Sequence, residues 1–163
     1  MTNQEIIRTE TVAIILENTW LTREINTKSG RLSLDFGWGN GYVLVPESHP
    51  YHGIDYNEMG GISVHGGLTF SDIITHETIT KHGQPYKLEH IGMWAFGFDT
   101  AHYTDSLEKW PKEAVMAETM RLKDQIDDPE VIAKWMGDYV NEYQEKLDHW
   151  TQKRRAWHKL TGV

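Results

Sequence analysis

Two short polar segments of the sequence contain residue types that could carry chemistry. In the first, residues 63–69, an apolar run ends at His65 and is followed by Gly66, Gly67 and Thr69. Adjacent glycines permit positive backbone φ angles, and imidazole exchanges protons or binds metals near neutral pH. We predict that the Gly66 and Gly67 amides hold an anion while His65 supplies a proton or a positive charge. The alternative is a Gly-Gly turn beside a hydrogen-bonded core histidine.

The second segment, residues 99–105, places Asp99, His102 and Asp105 at three-residue steps. On a turn of helix, such residues would present carboxylate, imidazole and carboxylate to one point. This set suits a hard or borderline divalent metal, or a histidine base oriented by an aspartate. The alternative is structural, with Asp99 capping the following turn and Asp105 capping the next helix.

A third candidate is the loop of residues 47–60, which is rich in polar and aromatic side chains. Loops on a rigid sheet often carry function, so this one could form a lid or a wall for a base or sugar. A solvated loop without a ligand is the alternative. Its predicted ligand-binding residues are His49, Tyr51, His52, Asp55 and Tyr56.

Composition restricts the partners. The 163 residues carry a formal net charge of −8, which disfavours polymeric nucleic acid and anionic membranes. The absence of cysteine excludes disulfides, thiolate metal sites and cysteine nucleophiles. Because the start has no basic segment leading into an apolar one, and no run reaches membrane-spanning length, we expect a cytoplasmic protein.

The elements that must position these residues are predicted to be strands as far as residue 105. The strongest prediction is an antiparallel hairpin of strands 31–36 and 42–45, with a turn over residues 37–41 that contains the hairpin signal Asn40-Gly41. The segment 90–98 is aromatic and apolar enough to be a central strand, and it ends at Asp99. The predicted strands are residues 11–16, 31–36, 42–45 (stopped by Pro46), 62–64, 68–71 with an extension over 73–79, and 90–98.

Beyond residue 105 the pattern predicts helices. Pro111 and Pro129 mark two helix starts, the first helix running to about Gln125. The second is long and amphipathic, with an apolar stripe that we expect to pack against the sheet or a second subunit. The stripe consists of Ile132, Trp135, Met136, Tyr139, Val140, Tyr143, Leu147 and Trp150. We therefore predict one α+β domain over residues 1–163, with a mainly antiparallel sheet and the site in residues 11–105 and two helices in residues 108–160.

Four blocks in matching order, all within residues 38–105, give the sequence a resemblance. They are GYVLVP (41–46), HPYHGIDY (49–56), VHGGLTF (64–70) and WAFGFDTAH (94–102). The chain resembles a family of small, mostly uncharacterised phage and bacterial proteins. Many members carry cysteine where this chain has Thr100 and glycine where it has Thr104, so the resemblance implies no cysteine-based mechanism here. It implies a phage-type protein, and by analogy one that counters host defence through nucleotide-derived signals.

Three functions fit these residues. The first is a hydrolase or phosphodiesterase for a nucleotide-like small molecule. His65 and His102 would act as general base and acid, Asp99 would orient a histidine, and the glycine amides would hold phosphate oxygens. A divalent metal is compatible with this site, but the sequence does not specify one.

The second function is sequestration of such a molecule without catalysis, in one chain or between the subunits of a homo-oligomer. In that function Tyr51, Tyr56 or Trp94 would stack on a base. The third function is inhibition of a host protein through the acidic surface. The third leaves the histidine, glycine and aspartate blocks without a role.

Overall fold

The structure, a computed structural model, describes residues 10–18, 36–81 and 83–161. These residues form four strands and three α-helices, which confirms the predicted α+β class. The chain divides into two compact units, Met1–Asp127 and Asp128–Val163. The first contains the sheet and the candidate site, and the second consists of the last helix. A single domain spanning residues 1–163 therefore stays a prediction.

The sheet has the strand order β1-β2-β4-β3, and every neighbouring pair is antiparallel. Strand β4 lies between β2 and β3, so the predicted central strand is confirmed in its second half. It begins only at Trp94 because the preceding residues form a 3₁₀ turn that ends at His90. The strands are β1 (Val12–Glu17), β2 (Gly39–Val45), β3 (Phe70–Ile73) and β4 (Trp94–Phe98).

The helices are α1 (His76–Thr80), α2 (Lys112–Ile126) and α3 (Pro129–Thr161). Both helices predicted near the C-terminal end are confirmed, with Pro111 standing at the N-cap of α2 rather than inside it. Among the described residues, no helix combines the length and the apolar character needed to cross a membrane.

Helix α2 packs on β1 and β2 and closes one side of the core. It contributes Val115, Leu122 and Ile126, all of which are fully buried. The strands contribute a second set of buried side chains, which includes Val43, Leu44, Val45, Ala95, Phe96 and Phe98. Burial of this apolar surface is what holds β4 rigid, and the polar segment 99–105 begins where β4 ends.

The predicted hairpin turn at Asn40-Gly41 is wrong. Residues 39–41 belong to β2 and pair with β1 in the register Leu16↔Asn40 and Ile15↔Gly41. The glycines are required for close approach, because a Cβ on Gly41 would lie 2.1 Å from the hydroxyl oxygen of Thr119. Tyr42–Val45 is a strand as predicted, but in the described residues its partners are β1 and β4.

Two further strand predictions fail. Residues 62–64 are not part of the sheet, and the extension predicted over residues 73–79 ends at Ile73. Thr75 then caps α1 through a reciprocal capping box with Thr78, which starts a helix instead. The strand predicted over residues 31–36 lies outside the described residues except for Phe36, which is not in a strand.

In the second unit, the apolar stripe of α3 is largely accessible. Trp135 is buried and stacks on Tyr139, with ring centroids 5.1 Å apart. Met136, Val140 and Tyr143 are between 46% and 62% exposed. The side chains of Leu147 and Trp150 lie outside the described part of the chain. Packing of this stripe against a second subunit stays a prediction.

A leucine pair tests the position of the core. Leu44 is fully buried in β2, whereas Leu88 is 70% exposed. We expect Leu44→Ala to lower the free energy of unfolding by about 2–5 kcal/mol, because it leaves a cavity. Leu88→Ala should change it by no more than about 0.5 kcal/mol. Urea denaturation measures both, and equal effects would place the core elsewhere.

Candidate functional site

The His-Gly-Gly segment forms a tight turn. The N–H of Gly67 donates to the carbonyl of Val64 over 2.9 Å, and the φ angles of Gly66 and Gly67 are +68° and +78°. The left-handed conformation predicted from the paired glycines is therefore present. Since the Gly67 amide closes this turn, it already has a partner within the chain. The turn leaves His65 partly exposed and directed at residue 105.

Asp105 is the buried anchor of the site. Its side chain is 2% exposed, and its Oδ1 lies 2.8 Å from Nε2 of His65. An ionised carboxylate only accepts hydrogen bonds, so Nε2 carries the proton and donates it. The second oxygen, Oδ2, accepts the backbone N–H of His102 over 2.9 Å. Asp105 therefore does not cap helix α2, as the structural alternative supposed, but ties two distant segments together.

His102 approaches the same point from the other side. Its ring lies edge-on to that of His65, with centroids 5.3 Å apart. Its Nε2 lies 3.3 Å from Oδ1 of Asp99 without forming a hydrogen bond, and the atom is buried with no hydrogen-bond partner. Gly66 packs directly on this ring, because a Cβ there would lie 2.1 Å from Nε2.

Asp99 has the local role that the structural alternative assigned to it and also belongs to the site. Its Oδ1 accepts the N–H of Ala101 over 3.0 Å, which caps the following turn. Its Oδ2 accepts the hydroxyl of Thr69 over 3.1 Å. The segment 99–105 is not helical, so convergence arises through turns. We call His65, His102, Asp99 and Asp105 the His65 cluster.

Two residues that support the cluster were not predicted as site residues. The ring of Trp110 packs against that of His65 in a tilted arrangement, with centroids 4.1 Å apart and planes 36° apart. The side-chain amide of Gln125, on α2, exchanges two hydrogen bonds with the backbone of Ser63 over 2.8 and 2.7 Å. The sequence offered Trp110-Pro111 only as a helix start, and Gln125 has no local signal at all.

Three members of the cluster could hold a metal ion. His65, His102 and Asp105 each offer one donor atom, and these atoms lie within 4.8 Å of one another. Among the described residues, this is the group of histidine and carboxylate side chains with that geometry. Asp99 stands beside His102, so the arrangement offers two imidazoles and two carboxylates at one place.

The predicted ligand loop lies at the other end of β4. His52 contacts the carbonyl of Gly92 over 2.8 Å, and the indole N–H of Trp94 donates to the carbonyl of Ile54 over 3.0 Å. Strand β4 separates Trp94 from Asp99 by about 17 Å, five residues at the usual rise per residue. The structure therefore divides the predicted site residues into two groups, and only one contains the His65 cluster.

The remaining loop residues have local structural partners. Tyr51 is fully buried, and Asp55 caps a 3₁₀ turn by accepting the N–H of Asn57. The backbone N–H of Tyr56 donates to the hydroxyl of Ser71 on β3. These contacts fix the loop on the sheet, so its role as a closing lid stays a prediction.

Thr100 has a structural role in this chain. It is fully buried, and its hydroxyl donates to the carbonyl of Gly39 over 2.6 Å. Its own carbonyl accepts the N–H of Gly37 over 2.8 Å. Thr100 thus links the end of β4 to the start of β2 by hydrogen bonds, and its hydroxyl is not part of the His65 cluster.

Comparisons with protein-family models, with curated proteins and with solved structures found no match. The geometry of the His65 cluster is therefore the basis for assigning a function. That geometry consists of two imidazoles in contact, each beside a carboxylate, with both rings partly exposed.

Two adjacent glycines test the contact with His102. Both have positive φ, so alanine at either position costs about 1–2 kcal/mol of backbone strain. A Cβ on Gly67 meets nothing within 4 Å, whereas one on Gly66 would collide with the His102 ring. We expect Gly66→Ala to lower the unfolding free energy by a further 1–3 kcal/mol, roughly, through overpacking. Urea denaturation gives the difference, and NMR should show the His102 ring displaced in this variant alone; equal behaviour of both variants would refute the contact.

His49 predicts a pH dependence of stability. Burial lowers its pKa, an effect that Asp127 at 3.4 Å opposes, and its Nδ1 must stay unprotonated to accept the N–H of Tyr51. The unfolded chain, with a pKa of about 6.5, therefore binds more protons between the two values. Stability is fully present above that unfolded pKa and is lost as pH falls through the folded one.

The measurement compares His49→Gln with the parent chain by denaturation from pH 8 to pH 5. The other histidines are present in both proteins, so the difference isolates His49. We expect the difference in unfolding free energy to change steadily below about pH 6.5, with the parent losing more stability. A difference that is constant with pH would contradict the lowered pKa.

Proposed function

We propose that this protein binds a phosphate-bearing, nucleotide-like small molecule at the His65 cluster and hydrolyses one of its phosphoester bonds. The observation that carries the proposal is the contact between two imidazoles, each beside an aspartate carboxylate. In the reaction, water adds its oxygen to phosphorus and the P–O bond to the leaving group breaks. One proton leaves the water and one reaches the departing oxygen.

The side chains around the cluster support a small ligand with an aromatic part. His65 and His102 are both partly exposed, so a substrate can reach them. Tyr103, next to His102, is 75% exposed and offers a ring on which a base can stack. The net charge of −8 favours a small molecule over a nucleic-acid polymer as the carrier of the phosphate. In a phage-type protein, this activity would remove a host defence signal.

The test is incubation with a panel of cyclic and linear nucleotides, followed by heat denaturation and chromatography of the released compounds. We expect at least one compound to be degraded. His65→Ala and His102→Ala should each lower turnover at least about 100-fold, because each removes a group that acts on the transferred protons or on the water. His76→Ala is the matched control, because His76 is an exposed histidine on α1 and should leave turnover unchanged.

The outcomes separate catalysis from sequestration. Intact compound recovered from heated protein, after depletion from solution, would replace hydrolysis by non-catalytic binding. Turnover that persists in both histidine variants would move the site away from the His65 cluster. Circular dichroism of each variant ensures that a loss of turnover is not a loss of folding.

A further inference from the structure

We infer that His65, His102 and Asp105 bind one divalent cation of the borderline class to which Zn²⁺ belongs, with Asp99 beside them. The use of this ion as a cofactor rests on the proposed function. The binding of the ion depends only on the donor atoms. The sequence motif of Asp99, His102 and Asp105 is compatible with a divalent metal, but it does not specify one and does not include His65.

The donor atoms of His65, His102 and Asp105 converge on one place. One donor from each of the three residues lies within 4.8 Å of the other two. Around a single zinc ion, ligand atoms stand roughly 3.3 Å apart, given bonds of about 2.0–2.1 Å to nitrogen and oxygen. The Nε2 atom of His65 and Oδ1 of Asp105 are already 2.8 Å apart. Small side-chain rotations bring the set to a common centre.

A ring nitrogen of His102 lacks a hydrogen-bond partner. Its Nε2 is buried and makes no hydrogen bond, although Oδ1 of Asp99 is only 3.3 Å away. A buried polar atom without a partner is costly, and such atoms are rare in folded proteins. A cation between this nitrogen and the carboxylates satisfies all of them, because a neutral imidazole and two carboxylates are all electron-pair donors.

The charges of the cluster also favour a cation. With neutral histidines the cluster carries two negative charges, on Asp99 and on the buried Asp105. A phosphate approaching this place would be repelled, since like charges at contact distance oppose binding. A divalent cation offsets the two carboxylates and gives the phosphate oxygens an attractive partner. The ion therefore reconciles an acidic cluster with an anionic substrate.

Surrounding groups orient the proposed ligands. Oδ2 of Asp105 is held by the His102 amide, and the ring of His65 is held by Trp110. Asp99 is fixed by the N–H of Ala101 and the hydroxyl of Thr69. Partners of this kind fix ligand geometry at metal sites. They leave each donor with a free lone pair once the proton on His65 is displaced.

The donor types select the class of ion. Two imidazoles and one or two carboxylates suit Zn²⁺, Fe²⁺, Mn²⁺ or Ni²⁺, whereas Ca²⁺ and Mg²⁺ prefer oxygen ligands alone. Three protein ligands leave one position for water, as in catalytic zinc sites. A bound cation lowers the pKa of that water, which supplies the nucleophile of the proposed hydrolysis.

The experiment measures the binding of the metal alone. The full chain is treated with EDTA, dialysed into metal-free buffer and titrated with ZnCl₂ by calorimetry and with CoCl₂ by visible absorption. We expect one ion per chain and the d–d absorption of cobalt in a site of four or five ligands. His65→Ala, His102→Ala and Asp105→Asn should each weaken binding at least tenfold, since losing even an outer-shell partner costs about 10–100-fold.

Matched controls are His76→Ala and Asp138→Asn, which alter exposed residues on α1 and α3 and should bind metal like the parent. If Asp105→Asn fails to fold, the partly exposed His102 still decides the question. Absence of one-to-one binding, or equal affinity in His102→Ala and His76→Ala, would overturn the metal site. Metal binding without hydrolysis of any nucleotide would leave the metal site standing and remove the proposed function. Hydrolysis that survives EDTA would leave the proposed function standing and show that the ion is not its cofactor.

Discussion

The arrangement of the site depends on one buried carboxylate. Asp105 uses Oδ1 for His65 and Oδ2 for the amide of His102, and so joins segments that are 40 residues apart in sequence. Burying an unpaired charge is strongly unfavourable, whereas hydrogen bonds to a charged group contribute about 1.5–3 kcal/mol each. The carboxylate is therefore stable only while both segments stay in place. Asp105 thus positions both His65 and His102, the first through its ring and the second through its backbone amide.

The sheet makes this junction possible by holding the ends of β4 and β2 together. Thr100 is the second residue after β4, and its buried hydroxyl and carbonyl bind the backbone at Gly39 and Gly37. A side chain at Gly37 would occupy the position of the Thr100 hydroxyl, so the small residue and the hydroxyl depend on each other. The chain after Thr100 consequently starts from a fixed point. Its turn from His102 to Asp105 can then be specified by short-range hydrogen bonds.

Most of the elements could be predicted from the sequence because their signals are local. The alternation and apolarity of β2 and β4, and the proline starts of the last two helices, required no knowledge of distant residues. The failed turn at Asn40-Gly41 shows the limit, since the same dipeptide serves a strand when a neighbour needs the space of a missing Cβ. Here that neighbour is Thr119 on α2, which is 78 positions away and is invisible to a local pattern.

The site shows the same division between residue type and partner. His65, Asp99, His102 and Asp105 could be predicted because imidazoles and carboxylates beside glycine turns are uncommon in a core. The loop at His49–Tyr56 has equally suggestive side chains, yet its contacts run to Gly92, Trp94 and Asp127. The two groups lie at opposite ends of β4, the loop near Trp94 and the His65 cluster after Phe98. Composition alone makes both groups candidates, and the strand that separates them is seen only in the structure.

The geometry also bears on what the cluster can do once a ligand arrives. An ionised carboxylate offers about four lone-pair sites, and the contacts of Asp105 described here use two of them. The bond to His65 is the one that a cation can replace, because it joins two donors of electron pairs through a single proton. The bond to the His102 amide cannot be replaced in this way, and it keeps the carboxylate aimed at both rings. In the metal site that we propose, the ion would replace the proton between His65 and Asp105, while the His102 amide, the Ala101 N–H and the Thr69 hydroxyl would continue to hold the carboxylates.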